Sequence, residues 1–302
     1  MSSNRALIKP LLNSTNTMVK PYDKLSIKDF KGVFTNVEAH PDMTREQYDA
    51  TEGINQSFLK DVLAVSPSYA LHSKNNREAT PAMYFGIALH AYVLEVDEFH
   101  RKVAVKPDGI DRRTKEGKIA YEEFLGESHG KTIINHEDLI KIQMMRDNAI
   151  WLMEHKKARK STNELSITAQ FKVTEGLFAG VVVPIKAQLD TLHELEDVAV
   201  IRDLKSVADI SDVPKSSRNG GWAVQSALYG DLVAELTHTH VSFEYVASSK
   251  EPPHDARKYL VSPEMEIRGR SMYLDGINRY LWWFKNGKPN TADFLGTEVL
   301  NF

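Results

Sequence analysis

The chain has 302 residues, 42% of them hydrophobic, and a formal net charge of -3, enough apolar material for one large domain or two small ones. It contains no cysteine, which excludes disulfide staples, thiolate zinc sites, cysteine nucleophiles and cysteine-held iron–sulfur clusters. No apolar run approaches the roughly 20 residues that cross a bilayer, and the polar N-terminus has no signal-peptide core, so the expectation is a cytoplasmic protein without membrane contact.

Residues 1–42 lack sustained periodicity and read as a tail or linker, leaving 43–302 as the folded domain. Helical patterning begins with "MTREQYDATEGINQSFLKDVLAVSPSYALHSK", where Ser57 is placed to cap a helix over "FLKDVLAV" and Pro67 to open another. Residues 80–95, "TPAMYFGIALHAYVLE", are apolar almost all round, the pattern of a buried helix. Next come a basic stretch entering a helix at 101–118 and helical signal to about 160. Window 101–118 holds seven basic against three acidic side chains, and 141–160 holds six against two. Either reads equally as a solvated helix face or as a phosphate contact.

Strands follow at 165–173, 177–185, 186–192 and 197–205; the third either stands alone or continues the second beyond Pro184. A helix over 222–236, a strand over 240–248 and a long helix over 263–287 complete the chain. Trp222, Trp282 and Trp283 read as core or interface. Helices, then a strand meander, then helix, strand, helix predict an α/β domain with a central mixed sheet flanked by helices.

The segment "VIRDLKS" (200–206) puts Asp203 and Lys205 on one side of an otherwise apolar strand, since strand side chains repeat every two residues. If "LHELEDV" (192–198) turns a hairpin, Asp190 lies opposite Asp203, and like charges directly opposed destabilise a sheet. Two such carboxylates share either a proton or a cation. Oxygen ligands suit a hard ion such as Mg²⁺, and an adjacent lysine can orient water or neutralise phosphoryl charge. Asp-x-Lys on an edge strand is equally a plain ion pair worth about 0–1 kcal/mol. His90, one helical turn after Gly86, is by itself either a ligand or a satisfied core histidine.

From Met43 onward the chain resembles the PD-(D/E)xK nucleases, and within them the RecE-type (exonuclease VIII-like) phage exonucleases. Tyr48, Ser57 and Leu59 fall at the places of that family's opening helices. "FGIALHAYVLEVDEF" resembles its Gly-x-x-x-His-x-x-x-Leu-Glu motif through Gly86, His90, Leu94 and Glu95. "DRRTKEGK" resembles an Arg-Arg-Thr-x-x-Gly-Lys segment, "LD" at 189–190 and "DLK" at 203–205 the catalytic Pro-Asp and Asp-x-Lys, and "QSALY" the Gln-x-x-x-Tyr helix. Leu189 departs from the proline expected before the first aspartate; Pro184 lies upstream.

The resemblance implies a restriction-endonuclease-like fold and a Mg²⁺-dependent exodeoxyribonuclease, with Mn²⁺ able to substitute and two ions per site. It would digest linear double-stranded DNA 5′ to 3′ and leave 3′ single strands for recombination. His90, Asp190, Asp203 and the Leu204 carbonyl would be metal ligands, and Lys205 the water-orienting group. Gln225 would be catalytic and, with Tyr229, would face the DNA. Ser57, Arg112, Arg113 and Lys118 are candidates for the DNA strand or a 5′ phosphate, and Glu95 and Glu164 for supporting acids. The implied assembly is a ring-shaped homo-oligomer threaded by DNA, partnered by a RecT-type single-strand annealing protein, in the host cytoplasm if phage-encoded. Alternatives are a RecB- or Cas4-type nuclease of other polarity, or a catalytically silent DNA- or protein-binding relative.

Overall fold

The computed structural model describes residues 22, 24–76, 78–290 and 294. Its helices are α1 (Arg45–Ala50), α2 (Gln56–Ala64), α3 (Pro67–Asn76), α4 (Pro81–Leu94), α5 (Lys115–Glu127), α6 (His136–Met153), α7 (Gly221–Thr237) and α8 (Pro263–Lys285), with shorter turns between them. The strands are β1 (Lys31–His40), β2 (Val103–Val105), β3 (Thr132–Ile134), β4 (Lys160–Glu175), β5 (Val182–Glu194), β6 (Val198–Val207), β7 (His240–Ser249) and β8 (Ala256–Leu260). Six form a mixed sheet in the order β1-β4-β5-β6-β7-β8, and β2 pairs with β3. Within the large sheet β6–β7 is the parallel pair, joined through α7; the others are antiparallel.

Apolar clusters form on the two sides of this sheet. Leu165, Ile167, Leu189 and Ile201 pack with α2, α7 and α8 through Leu59, Leu228 and Ile277. Leu204 and Val246 pack with α4 and α6 through Leu89, Ile142 and Met145. That is the expected sheet flanked by helices. The approach of α8 to α7 depends on Gly269, where a Cβ would lie 1.9 Å from the Ala223 carbonyl oxygen. Thr80 caps α4 by accepting from the Met83 N–H, and Pro81 occupies its first turn, where a missing N–H costs nothing. Among the described residues no helix is long and apolar enough to cross a membrane.

Several expectations need correction. Residues 31–40 are not a linker: they form edge strand β1 against β4, with Phe30 and Phe34 buried in the core. The strand shows half its face to solvent, Val33 included at 50% exposure, and its register slips between Thr35 and Glu38, so alternation is blurred. Residues 1–21 lie outside the described residues. Asn55, not Ser57, caps α2, accepting from the Phe58 N–H. Residues 177–180 are turn rather than strand, and 182–185 and 186–192 belong to one strand, β5. Pro184 is tolerated within it because β6 pairs with β5 only farther along, so no ladder partner there needs the missing N–H.

Candidate active site

The hairpin register is the expected one. Thr191 pairs with Arg202, Leu192 with Ile201, His193 with Val200 and Glu194 with Ala199. Past Thr191 and Arg202 the ladder stops: β5 stays with β4 and β6 stays with β7. The site is built in this fork. Asp190 reaches across it to accept a 2.6 Å hydrogen bond from the Leu204 N–H.

On the α4 side, His90 Nε2 lies 2.9 Å from the Leu204 carbonyl oxygen. Donation there leaves Nδ1 facing acids, 3.5 Å from Asp190 Oδ1 and 3.9 Å from Glu164 Oε1. Ligand atoms of His90, Glu164 and Asp190 all lie within 4.8 Å of one another. Glu164 interrupts β4 with a φ of 49°, a left-handed conformation that a non-glycine side chain resists. A Cβ on Gly86 would meet nothing within 4 Å, so the helix face one turn before His90 borders open space.

On the α7 side, Asp203 is 2% exposed. Its Oδ1 accepts from Gln225 Nε2 at 2.5 Å, and Lys205 Nζ donates to Gln225 Oε1 at 2.9 Å. Lys205 Nζ also stands 2.6 Å from Asp203 Oδ2 and pairs with that buried oxygen.

Burial, then the nearby Asp190 charge, pushes the Asp203 carboxyl up to about 6 against the pull of Lys205. Burial, Asp190 and Glu95 raise Glu164 to about 7 despite His90. Asp190 is held below its usual range: burial opposes this, but His90, Lys205 and the Leu204 N–H prevail. Burial likewise opposes charge on His90, and Asp190, Glu164 and Asp203 overcome it to raise the ring to about 9. Three acids thus face two basic groups. The hard O/N donor set of His90, Glu164 and Asp190, with its ligand atoms within reach of each other, fits a divalent cation.

The two aspartates turn to different partners. Asp190 joins His90 and Glu164, whereas Asp203 falls outside that ligand group and turns to Lys205 and Gln225. The fork ends the strand alternation on which the expectation rested. The Leu204 carbonyl, expected as a ligand, accepts from His90. Glu164, expected as a supporting acid, stands among the ligand atoms, while Glu95 pairs with Lys102. Tyr229 is a core residue at 5% exposure and Gln225 is committed to Asp203 and Lys205, so neither offers a DNA-facing group.

The remaining candidates lie elsewhere. Ser57 accepts from Gln56 on α2. Arg113 is tied to Asp111 and Arg112 covers the Tyr121 ring, both around the start of α5, a helix with no buried residue. Lys118 is exposed on the same helix. Trp283 is core, with Trp222 and Trp282 packed against it.

Two buried bases outside the candidate set had no motif to mark them. Lys186 donates to the carbonyls of Tyr48, Asp49 and Thr51, and Arg202 pairs with Glu244 at 2.6 Å. The charge of Arg202 within an apolar strand was a usable signal; its partner forty residues on was not.

A forked mixed sheet carrying Asp190, Asp203-x-Lys205 and a helical His90 defines the PD-(D/E)xK nuclease class, with its restriction-endonuclease-like fold. The chain belongs to the family described as PDDEXK-like domain of unknown function (DUF3799), whose model matches residues 55–293. Among solved structures it is similar to a "Putative exonuclease" from Eubacterium rectale, with 18% identity and a TM-score of 0.56 over 82% of this chain and 88% of that one. At that identity the likeness bears on the fold. None of the curated proteins matches the chain.

Proposed function

We propose that the protein is a Mg²⁺-dependent exodeoxyribonuclease of the RecE type, digesting linear double-stranded DNA from 5′ ends and leaving 3′ single strands. The observation that carries this reading is the lysine–glutamine clamp on Asp203, set beside the His90–Glu164–Asp190 group. His90, Glu164 and Asp190 would hold the cation. When bound, it supplies Lewis-acid polarisation of a phosphodiester and neutralises charge developing on it.

The chain's own residues do the rest. Lys205 has three donors: one goes to Gln225, one lies against Asp203, and the third is left for a phosphoryl oxygen or the attacking water. Its side chain keeps 24% exposure, so the ammonium can meet substrate while its position is held from behind. Gln225 fixes the spacing between ammonium and carboxylate. His90 and Asp190 both grip the Leu204 peptide, which ties α4 to β6 and keeps the fork at one width. A ring-shaped homo-oligomer and a RecT-type annealing partner complete the proposal; the family resemblance motivates both.

The test incubates the protein with linear duplex labelled at the 5′ or the 3′ end, with Mg²⁺ or with EDTA. Early release of 5′ label in Mg²⁺ alone is expected. Loss of 3′ label first would reverse the polarity, and digestion in EDTA would remove the metal. Full digestion by Lys205→Ala would remove Lys205 from the chemistry.

A further inference from the structure

A second cavity opens beside the catalytic fork, with a volume of about 310 Å³. Its lining overlaps the site's own scaffold: Leu94 lies one helical turn beyond His90, and Asn163 and Thr191 are the chain neighbours of Glu164 and Asp190. Asn163 forms the partition, donating to the Leu94 carbonyl at 2.7 Å while accepting from the Thr191 hydroxyl at 3.0 Å.

One wall is apolar, made by Leu94, Ile150 and Met153. The other lining side chains are polar, and Glu154 is the carboxylate among them. His193 Nε2 donates to the Met153 carbonyl at 2.9 Å, so its Nδ1 accepts from the Ser161 hydroxyl at 2.8 Å. Burial and then Arg202 hold the rings of His193 and His155 below the usual histidine range. His155 also lines the cavity, and its buried Nδ1 has no hydrogen-bond partner among the described residues, a group that calls for one from a ligand or water.

The mouth carries Glu154 and a run of basic side chains. In the "KKARK" run, Arg159 and Lys160 are paired with Glu196 and Glu194. Lys156 lines the cavity, and it and Lys157 are exposed with no ion pair among the described residues.

A slot at the small end of ligand cavities, roughly 300–1,000 Å³, takes one nucleoside and excludes a duplex. The apolar side chains suit a flat ring, the unpartnered His155 Nδ1 and the second N–H of the Asn163 amide are left for its edge, and Lys156 is left for phosphate. We propose that this cavity is a nucleotide-binding subsite that holds a single unpaired deoxynucleotide by its base, next to the phosphate being cut. It rests on the nuclease reading for the identity of that phosphate.

The test measures calorimetric binding of the four deoxynucleoside 5′-monophosphates in EDTA, with deoxyribose 5-phosphate and inorganic phosphate alongside. The monophosphates are expected to bind about 10-fold or more tightly than the sugar phosphate, the size of one stacked base. Ile150→Trp, which fills the slot, should erase that preference, and His155→Ala should reduce it. Equal affinity for sugar phosphate and nucleotide would overturn the proposal, as would a preference untouched by both variants. If Ile150→Trp does not fold, the sugar-phosphate comparison and His155→Ala decide it. Digestion of duplex is scored separately. Nucleotide binding without digestion rejects the nuclease reading and leaves the subsite, whereas digestion without base-dependent binding rejects the subsite alone.

Discussion

On the α4 side of the fork, His90, Glu164 and Asp190 converge with the imidazole as their sole basic member. On the α7 side, Asp203 is enclosed by Lys205 and Gln225. The first group is under-neutralised and suited to gather a cation. The second is nearly balanced and suited to hold one ammonium at a set distance. The same contrast separates the two lysines of the central strands: Lys205 faces a carboxylate, whereas Lys186 is 3% exposed and faces carbonyl oxygens. Burial pushes Lys186 down to about 8. It ties the end of α1 to β5, and among the described residues no carboxylate makes an ion pair with it.

Four measurements test this division. The largest effect is expected from Asp190→Asn, which should remove the calorimetric signal of Mn²⁺ binding and lower turnover by about 10³-fold or more. Unchanged Mn²⁺ binding would mean that the cation sits elsewhere. Lys205→Met should lower kcat by about 10²–10³-fold while Mn²⁺ affinity stays within a few-fold, because the lysine belongs to the balanced half. A parallel loss of Mn²⁺ affinity would merge the two halves into one unit.

Lys186→Met should leave kcat near wild type and reduce unfolding stability by about 3 kcal/mol, since three buried carbonyls lose their donor. A kinetic defect at full stability would place it in the chemistry. The smallest effect is expected at His193, whose folded ring sits at about 4 against an ordinary 6.5. Between those values the unfolded chain takes up a proton that the folded chain refuses, so this group's contribution is present above pH 6.5 and is lost on acidification towards pH 4. Comparison of wild type with His193→Asn by denaturant titration should show a pH slope shallower in the variant by about 1–3 kcal/mol across that window. Equal slopes would show that His193 protonates freely in the fold.

Much of this organisation was legible in advance. The sheet with helices on both sides followed from the order of periodic segments, and the β5–β6 register followed from the polar turn between two apolar runs. The motif order placed His90, Asp190, Asp203 and Lys205 in one site. Edge strand β1 was missed because an edge strand exposes too much of itself to alternate cleanly. Tyr229 was misassigned because a four-residue helical spacing says which residues share a face, not whether that face meets solvent or core.

Periodicity and hairpin register, local properties written into residue type, dictate which residues meet. Tertiary structure alone decided how they divide the work. Where β5 and β6 part, Asp190 is free to turn towards His90 and Glu164, and Asp203 towards Lys205 and Gln225. That choice depends on partners contributed by α4, β4 and α7, far away in the chain, and no local pattern encodes it.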